Sequence, residues 1–205
     1  MRSTTQATTP TTATGIKLPA TLRRIVLTGY MGAGKTTIGR RLAAALNWNF
    51  LDIDDFIEER DGRRIAEIFA AEGEPHFRRF ESTCLAAALG YTNTVIALGG
   101  GTPEGITNRL LLEQTPGTHT IFLDAPFPVL FDRCMFQQHN QDNKTSMLPN
   151  PVRPVLADPA QAEARYHQRK PFYRRLAKTT IDTTTHETAD TINAILHDLS
   201  KRFPG

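Results

Sequence analysis

Lys35 is where the chemistry of this 205-residue chain is easiest to find. It sits in Gly29-Tyr30-Met31-Gly32-Ala33-Gly34-Lys35-Thr36-Thr37, which fits the phosphate-loop pattern G-x-x-x-x-G-K-[ST]. Glycines there let the backbone wrap so that successive N–H groups and a helix N-terminus face phosphate oxygens. The lysine then reaches the β/γ-phosphates, and the Thr36 hydroxyl is offered to Mg²⁺. Gly32, Ala33, Gly34, Lys35, Thr36 and Thr37 are therefore the nucleotide-binding candidates. Such a loop serves kinases, GTPase switches and nucleotide-driven machines alike, so it does not name an acceptor.

Three further clusters supply possible partners. Leu51-Asp52-Ile53-Asp54-Asp55 carries the first acidic residues of the chain, at the carboxyl end of an expected strand. One carboxylate near a metal and one near an attacking hydroxyl would meet the needs of phosphoryl transfer. The alternative is an aspartate capping the next helix, with Asp55 the first choice for that lesser role. Gly99-Gly100-Gly101 follows a buried strand, as expected where a ligand approaches main-chain N–H groups, or else forms a tight turn before a helix starting near Pro103. Phe77-Arg78-Arg79-Phe80-Glu81 places an arginine pair on a helix, which is a solvated face unless it lies in a cleft.

These clusters need a scaffold that brings strand ends together. From Arg24 onward, short apolar runs alternate with segments of helical period, the pattern of a parallel α/β sheet. Strands are expected at 25–27, 50–52, 95–98, 120–123 and 180–182, each buried on both faces. Helices are expected at 38–46, 66–71, 76–89, 128–136, 159–176 and 187–199, with Gly73 and Pro75 breaking the pattern between the second and third. The length fits one domain. Hydrophobic and charged shares of 40% and 22% are ordinary for a globular protein, and no apolar run is long enough to span a bilayer. A net charge of +3 without a long basic run argues against a nucleic-acid footprint. The basic residues are mostly arginine, which reflects either anionic ligands or codon usage. Cys84 and Cys134 are too few for a disulfide framework, so a reducing, cytoplasmic setting is the simplest.

Two segments stand outside the α/β rhythm. Residues 1–20 are Thr-rich, acid-free and aperiodic; they read as a disordered tail rather than an organellar transit peptide, for want of an amphipathic pattern. Residues 137–151, QQHNQDNKTSMLPNP, are polar and longer than an ordinary connection, so they form either a mobile lid or a disordered insertion.

Taken together, GYMGAGKTTIGRRLA, LDIDDFIEERDGRRIAEIFAAEGEPHFRRFE, VIALGGGT, VRPVL and RKPFYRRLA resemble the shikimate kinase family, P-loop kinases of the nucleoside monophosphate kinase type. The resemblance covers the chain from about Arg24 except the polar insertion. It implies a three-layer α/β/α fold with a five-stranded parallel sheet in the order 2-3-1-4-5 and a mobile lid at about 137–158. It also implies ATP-dependent phosphorylation of the 3-hydroxyl of shikimate with Mg²⁺; a monomer without a nucleic-acid or membrane partner is expected.

Carried over by position, the resemblance puts Asp52 near Mg²⁺ with Thr36, and Asp54 on the acceptor hydroxyls, where it can orient or deprotonate the attacking one. Arg78 and Arg169 would hold the shikimate carboxylate, with Phe77 and Glu81 supporting them. Gly99, Gly100 and Gly101 would meet the ring. Arg153 would reach the phosphates as the lid closes, making Asp54, Lys35 and Arg153 the catalytic set. Arg133 lies near the place of an adenine-packing arginine. The sequence departs from the family pattern in its longer lid and in lacking a proline near 182–187, so no adenine clamp is named on that side. The rivals are a related small-molecule kinase such as gluconate kinase and a catalytically silent nucleotide-binding regulator on the same fold.

Overall fold

Short runs of Val, Ile, Leu and Thr become strands because branched side chains pack well on a pleated surface buried between helices. The computed structural model describes residues 18–142, 158–185 and 187–203. Its strands are β1 (Arg24–Thr28), β2 (Asn49–Asp52), β3 (Thr94–Ala97), β4 (Thr118–Asp124) and β5 (Thr179–Asp182). They pair in parallel in the order β2-β3-β1-β4-β5. Parallel neighbours require crossovers, and the helices supply them: α1 (Lys35–Leu46), α2 (Ile53–Asp61), α3 (Ile65–Ala88), α4 (Ile106–Gln114), α5 (Phe127–Asp142), α6 (Pro159–Leu176) and α7 (Thr188–Arg202).

Alternation along the strands divides the core in two. Ile25 and Leu27 of β1 and Val95 of β3 pack with Leu42 and Leu46 of α1 and with Ile195 and Leu199 of α7. Val26 and Ile96 face the other way, onto Ile53 and Ile57 of α2, Phe77 and Leu85 of α3, and Leu112 of α4. The registers Ile25↔Val95 and Val26↔Ile96 put partners on the same face, since side chains alternate with period two.

Several expectations need correction. Burial on both faces holds for β1, β3 and most of β4, but β2 and β5 are the sheet edges and stay partly exposed. Helices α2 and α4 were expected only within alternative readings, as the helix after Asp52 and the one starting near Pro103; both are nine residues long, and their apolar faces are short. The break expected at Gly73 is present, by contrast: Gly73 leaves helical geometry at φ 77° and ψ 170°, so α3 is two helical segments meeting at a kink. Helix α5 runs on through Gln137 to Asp142, into the segment expected as loop, because polar residues can continue a helix without showing an apolar period. Leu18, expected in the tail, is 5% exposed and packs in the core, which therefore begins before residue 21. Residues 1–17 and 143–157, with Arg153 among the latter, lie outside the described residues.

Candidate active site

In an open α/β sheet, ligands sit beyond the carboxyl ends of the strands where the strand order reverses. Here β1 is flanked by β3 on one side and β4 on the other. The phosphate loop leaves β1, the aspartates leave β2 and the triple glycine leaves β3, so all three clusters meet at one edge. They line a cleft of about 360 Å³ that also takes in Arg169 of α6 and Gln137 of α5.

At the phosphate loop, Gly34 caps α1 with φ 85°, and the helix N-terminus, whose first N–H groups have no acceptor within the helix, opens toward the cleft. Gly32 has φ 77°, and a Cβ there would run into the Leu130 carbonyl and the Cys134 sulfur of α5. A side chain is thus excluded twice, by backbone conformation and by space. The Lys35 ammonium donates to the carbonyls of Gly29 at 2.9 Å and Tyr30 at 3.1 Å, which holds it across the loop. Thr36 Oγ1 donates to Asp52 Oδ2 at 2.7 Å. That hydroxyl and carboxylate, on separate elements, stand together as oxygen donors.

Asp52, rather than Asp55, is the helix cap: its Oδ1 accepts from the Asp54 N–H at 3.1 Å at the start of α2. One oxygen therefore caps, as the alternative reading had it, and the other meets Thr36. Asp55 pairs with Arg40 at 3.8 Å with both side chains well exposed, a surface contact of little energetic weight.

The glycine turn forms the opposite wall. A Cβ on Gly99 would lie 2.5 Å from Asp54 Oδ1, so the carboxylate lies directly against the turn. A Cβ on Gly101 would lie 3.0 Å from both terminal nitrogens of Arg78 and 3.3 Å from Arg169 Nη2. The two arginines expected to act together therefore converge on one glycine. Glu81 is 2% exposed and accepts from Thr102 Oγ1 at 2.8 Å and from Arg78 Nη1 at 3.1 Å. It ties the Arg78 helix to the turn, the supporting role expected of it. Burial works against the Arg78 charge, but Glu81 and Glu74 outweigh it and raise its pKa above the ordinary value. For Arg169 burial is likewise overcome, chiefly by the hydrogen bond to Glu104.

Three residues that sequence reasoning missed complete this wall. Glu104, in a 3-10 turn at Thr102–Glu104, accepts from Arg169 Nε at 2.9 Å and Nη2 at 3.2 Å. Tyr173 donates to the Gly100 carbonyl at 2.6 Å, and Tyr30 of the phosphate loop donates to the Ala162 carbonyl of α6 at 2.8 Å. Burial raises the Tyr173 phenol pKa despite the nearby Arg169, so it stays protonated and a donor. Tyr173 lies one turn beyond Arg169, so the face of α6 that carries the arginine is also bolted to the glycine turn. Nothing in the local pattern distinguishes these side chains from surface acids or core aromatics.

A second cavity of about 430 Å³ opens between the phosphate loop, Arg133 of α5 and the start of α7. Arg133 donates to Thr183 Oγ1 at 3.2 Å and to the Thr183 carbonyl at 2.5 Å. Its guanidinium is thereby fixed where it lines that cavity.

A family model described as shikimate kinase matches residues 31–200. A curated shikimate kinase of Symbiobacterium thermophilum is 38% identical over 181 residues, covering 87% of this chain and 97% of that protein. A solved shikimate kinase from Acinetobacter baumannii in complex with shikimate superposes with a TM-score of 0.75 at 32% identity, covering 90% of this chain and 97% of the other. A gluconokinase from Sinorhizobium meliloti superposes with a TM-score of 0.57 at 16% identity, covering 90% and 95%. That last likeness is one of fold alone.

Proposed function

Because this chain belongs to the shikimate kinase family, we propose that it transfers the γ-phosphoryl group of ATP to the 3-hydroxyl of shikimate, a step toward chorismate and the aromatic amino acids. The observation that carries the reading is the single cleft in which a phosphate loop faces an aspartate and a glycine turn backed by two arginines.

In this reading the loop N–H groups and Lys35 hold the phosphates, and Arg133 flanks the adenine side. Arg78 and Arg169 take the acceptor carboxylate through charge-assisted, potentially bidentate bonds that fix the ring's orientation. Asp54 then lies where a hydroxyl of that ring would sit and either orients it or accepts its proton. The glycine turn lets the ring approach the main chain. Arg153 brings positive charge to the transferring phosphoryl group when the lid closes and helps exclude water that would otherwise be phosphorylated.

The donor set fits Mg²⁺. Among the described residues, no group of three or more His, Cys, Asp or Glu side chains could hold a metal by itself. Mg²⁺ keeps several waters and binds through one or two protein oxygens plus substrate phosphates, which is what Thr36 and Asp52 provide. Bound there, the ion would neutralise phosphate charge. No described helix is long and apolar enough to cross a membrane. We place the reaction in the cytoplasm, with a single chain sufficient for the site.

A coupled assay of ADP release tests the proposal. ADP formation that requires both shikimate and Mg²⁺ is expected; no stimulation by shikimate in well-folded protein sinks it. Gluconate offered in parallel separates the related small-molecule kinase, and silence with both acceptors would favour the regulator.

A further inference from the structure

Glu104 bridges the two arginines to which the acceptor carboxylate has been assigned. Its carboxylate forks onto the Nε/Nη2 edge of Arg169 at 2.9 and 3.2 Å, and the same group reaches to within 3.6 Å of Arg78 Nη2. Arg78 is meanwhile paired with buried Glu81 at 3.1 Å and with Glu74 at 3.0 Å. The two guanidinium charges are thus fully balanced by protein carboxylates. An anionic acceptor entering here adds a further negative charge to a neutralised pair, so one carboxylate must yield.

Glu81 cannot be the one. It is 2% exposed and also receives the Thr102 hydroxyl, so moving it would strand buried donors. Glu74 is 64% exposed at the far side of Arg78 and makes no contact with Arg169, so its departure frees only half the pair. Glu104 is 28% exposed, and its carboxylate has only the two arginines as partners among the described residues. Its backbone is held by the turn, Glu104 N–H to the Gly101 carbonyl at 2.9 Å. The side chain can therefore leave by rotation alone without disturbing the glycines.

We propose that Glu104 is a specificity-determining residue: a place-holding carboxylate that the acceptor's carboxylate displaces from Arg169 and Arg78. The inference rests on the reading of this pair as the acceptor-carboxylate clamp. Binding is then an exchange of one carboxylate for another. An acceptor that carries a carboxylate releases Glu104 and takes over its bonds. An uncharged analogue leaves Glu104 on the arginines and gains nothing from them.

The test measures KM and kcat for shikimate, and binding of its uncharged methyl ester, in wild type, Glu104→Gln and Glu104→Ala, each checked for folding by thermal melting. Removing the competing charge is expected to lower the shikimate KM by roughly three- to tenfold in both variants, with the change carried by KM rather than kcat. Affinity for the ester is expected to move by less than about twofold. An unchanged or raised shikimate KM in a folded variant, or an equal change for the ester, overturns the exchange. Arg169→Ala separates the two levels of inference. If it leaves the shikimate KM unaltered, the clamp itself is wrong; if it raises KM while the Glu104 variants do not lower it, only the exchange is wrong.

Discussion

Gly99→Ala isolates the close approach between the glycine turn and Asp54. The new methyl carbon would stand 2.5 Å from Asp54 Oδ1 and 3.1 Å from Thr102 Oγ1, where an ordinary contact begins at 3.4 Å. Gly99 does not have positive φ, so alanine fits the backbone there and the strain falls on the neighbouring side chains. The carboxylate must then retreat by about 0.9 Å, the difference between those distances. A misplacement of about 1 Å at a reacting group can cost on the order of 10²-fold in rate. We expect kcat to fall by about that factor, with a melting temperature lowered by no more than about 4 °C, the shift that 1 kcal/mol gives in a chain of this size. The assay is shikimate-dependent ADP release across Gly99→Ala, Asp54→Asn and the double variant. Because the methyl acts through Asp54, the double variant is expected to be no slower than Asp54→Asn alone. Near-wild-type turnover in Gly99→Ala, or losses that multiply in the double variant, would refute the reasoning.

Asp54→Asn and Arg153→Ala are each expected to cut turnover by roughly 10² or more, the scale of a lost acid/base or electrostatic stabiliser. Steady-state rates like those of wild type would remove that residue from the mechanism. Tyr173→Phe deletes the 2.6 Å bond to the Gly100 carbonyl. It should cost about 1 kcal/mol in urea denaturation and raise the shikimate KM a few-fold as the turn loosens; unchanged values for both would show that the bond carries no weight. His119 is 3% exposed, and burial together with nearby Lys178 and Arg202 pushes its pKa down from 6.5 to about 4. The unfolded chain therefore binds the extra proton first. This stability is complete above about pH 6.5 and is lost as pH falls toward about 4, amounting to at most about 3 kcal/mol. A His119→Gln variant whose stability falls as steeply as that of wild type across that window would disprove the attribution.

What could be read locally was read well. The phosphate loop is a backbone device whose glycines and lysine are neighbours in sequence, and β1 and α1 around it follow from a branched apolar run and an amphipathic one. Helix α6 was legible across 159–176 because Pro159 and Asp158 mark its start. Helices α2 and α4 were legible only as alternatives, after Asp52 and near Pro103, since nine residues hold too few turns for a period to stand out. The far end of α5 was read as loop because its residues are uniformly polar. The exposure of β2 and β5 could not be read from their composition, because being an edge is a property of strand order.

The candidate site divides in the same way. Asp52 looked like either a cap or a metal neighbour; the structure has it meet Asp54 N–H with one oxygen and Thr36 with the other. Arg78 and Arg169 were paired through the family resemblance, but their convergence on Gly101 depends on where α3 and α6 lie against the sheet. Glu104 is 65 positions from Arg169 in sequence, and an acid just after a turn has no local mark of importance.

By itself, then, the sequence determined the α/β class, the phosphate loop and the family, because backbone conformation and hydrophobic period are short-range properties written in adjacent residues. Only the tertiary structure decided which charges share a space. Electrostatic pairing depends on separation through space and on burial, and the packing of α3 and α6 around the glycine turn sets both, leaving Glu104 between the two arginines.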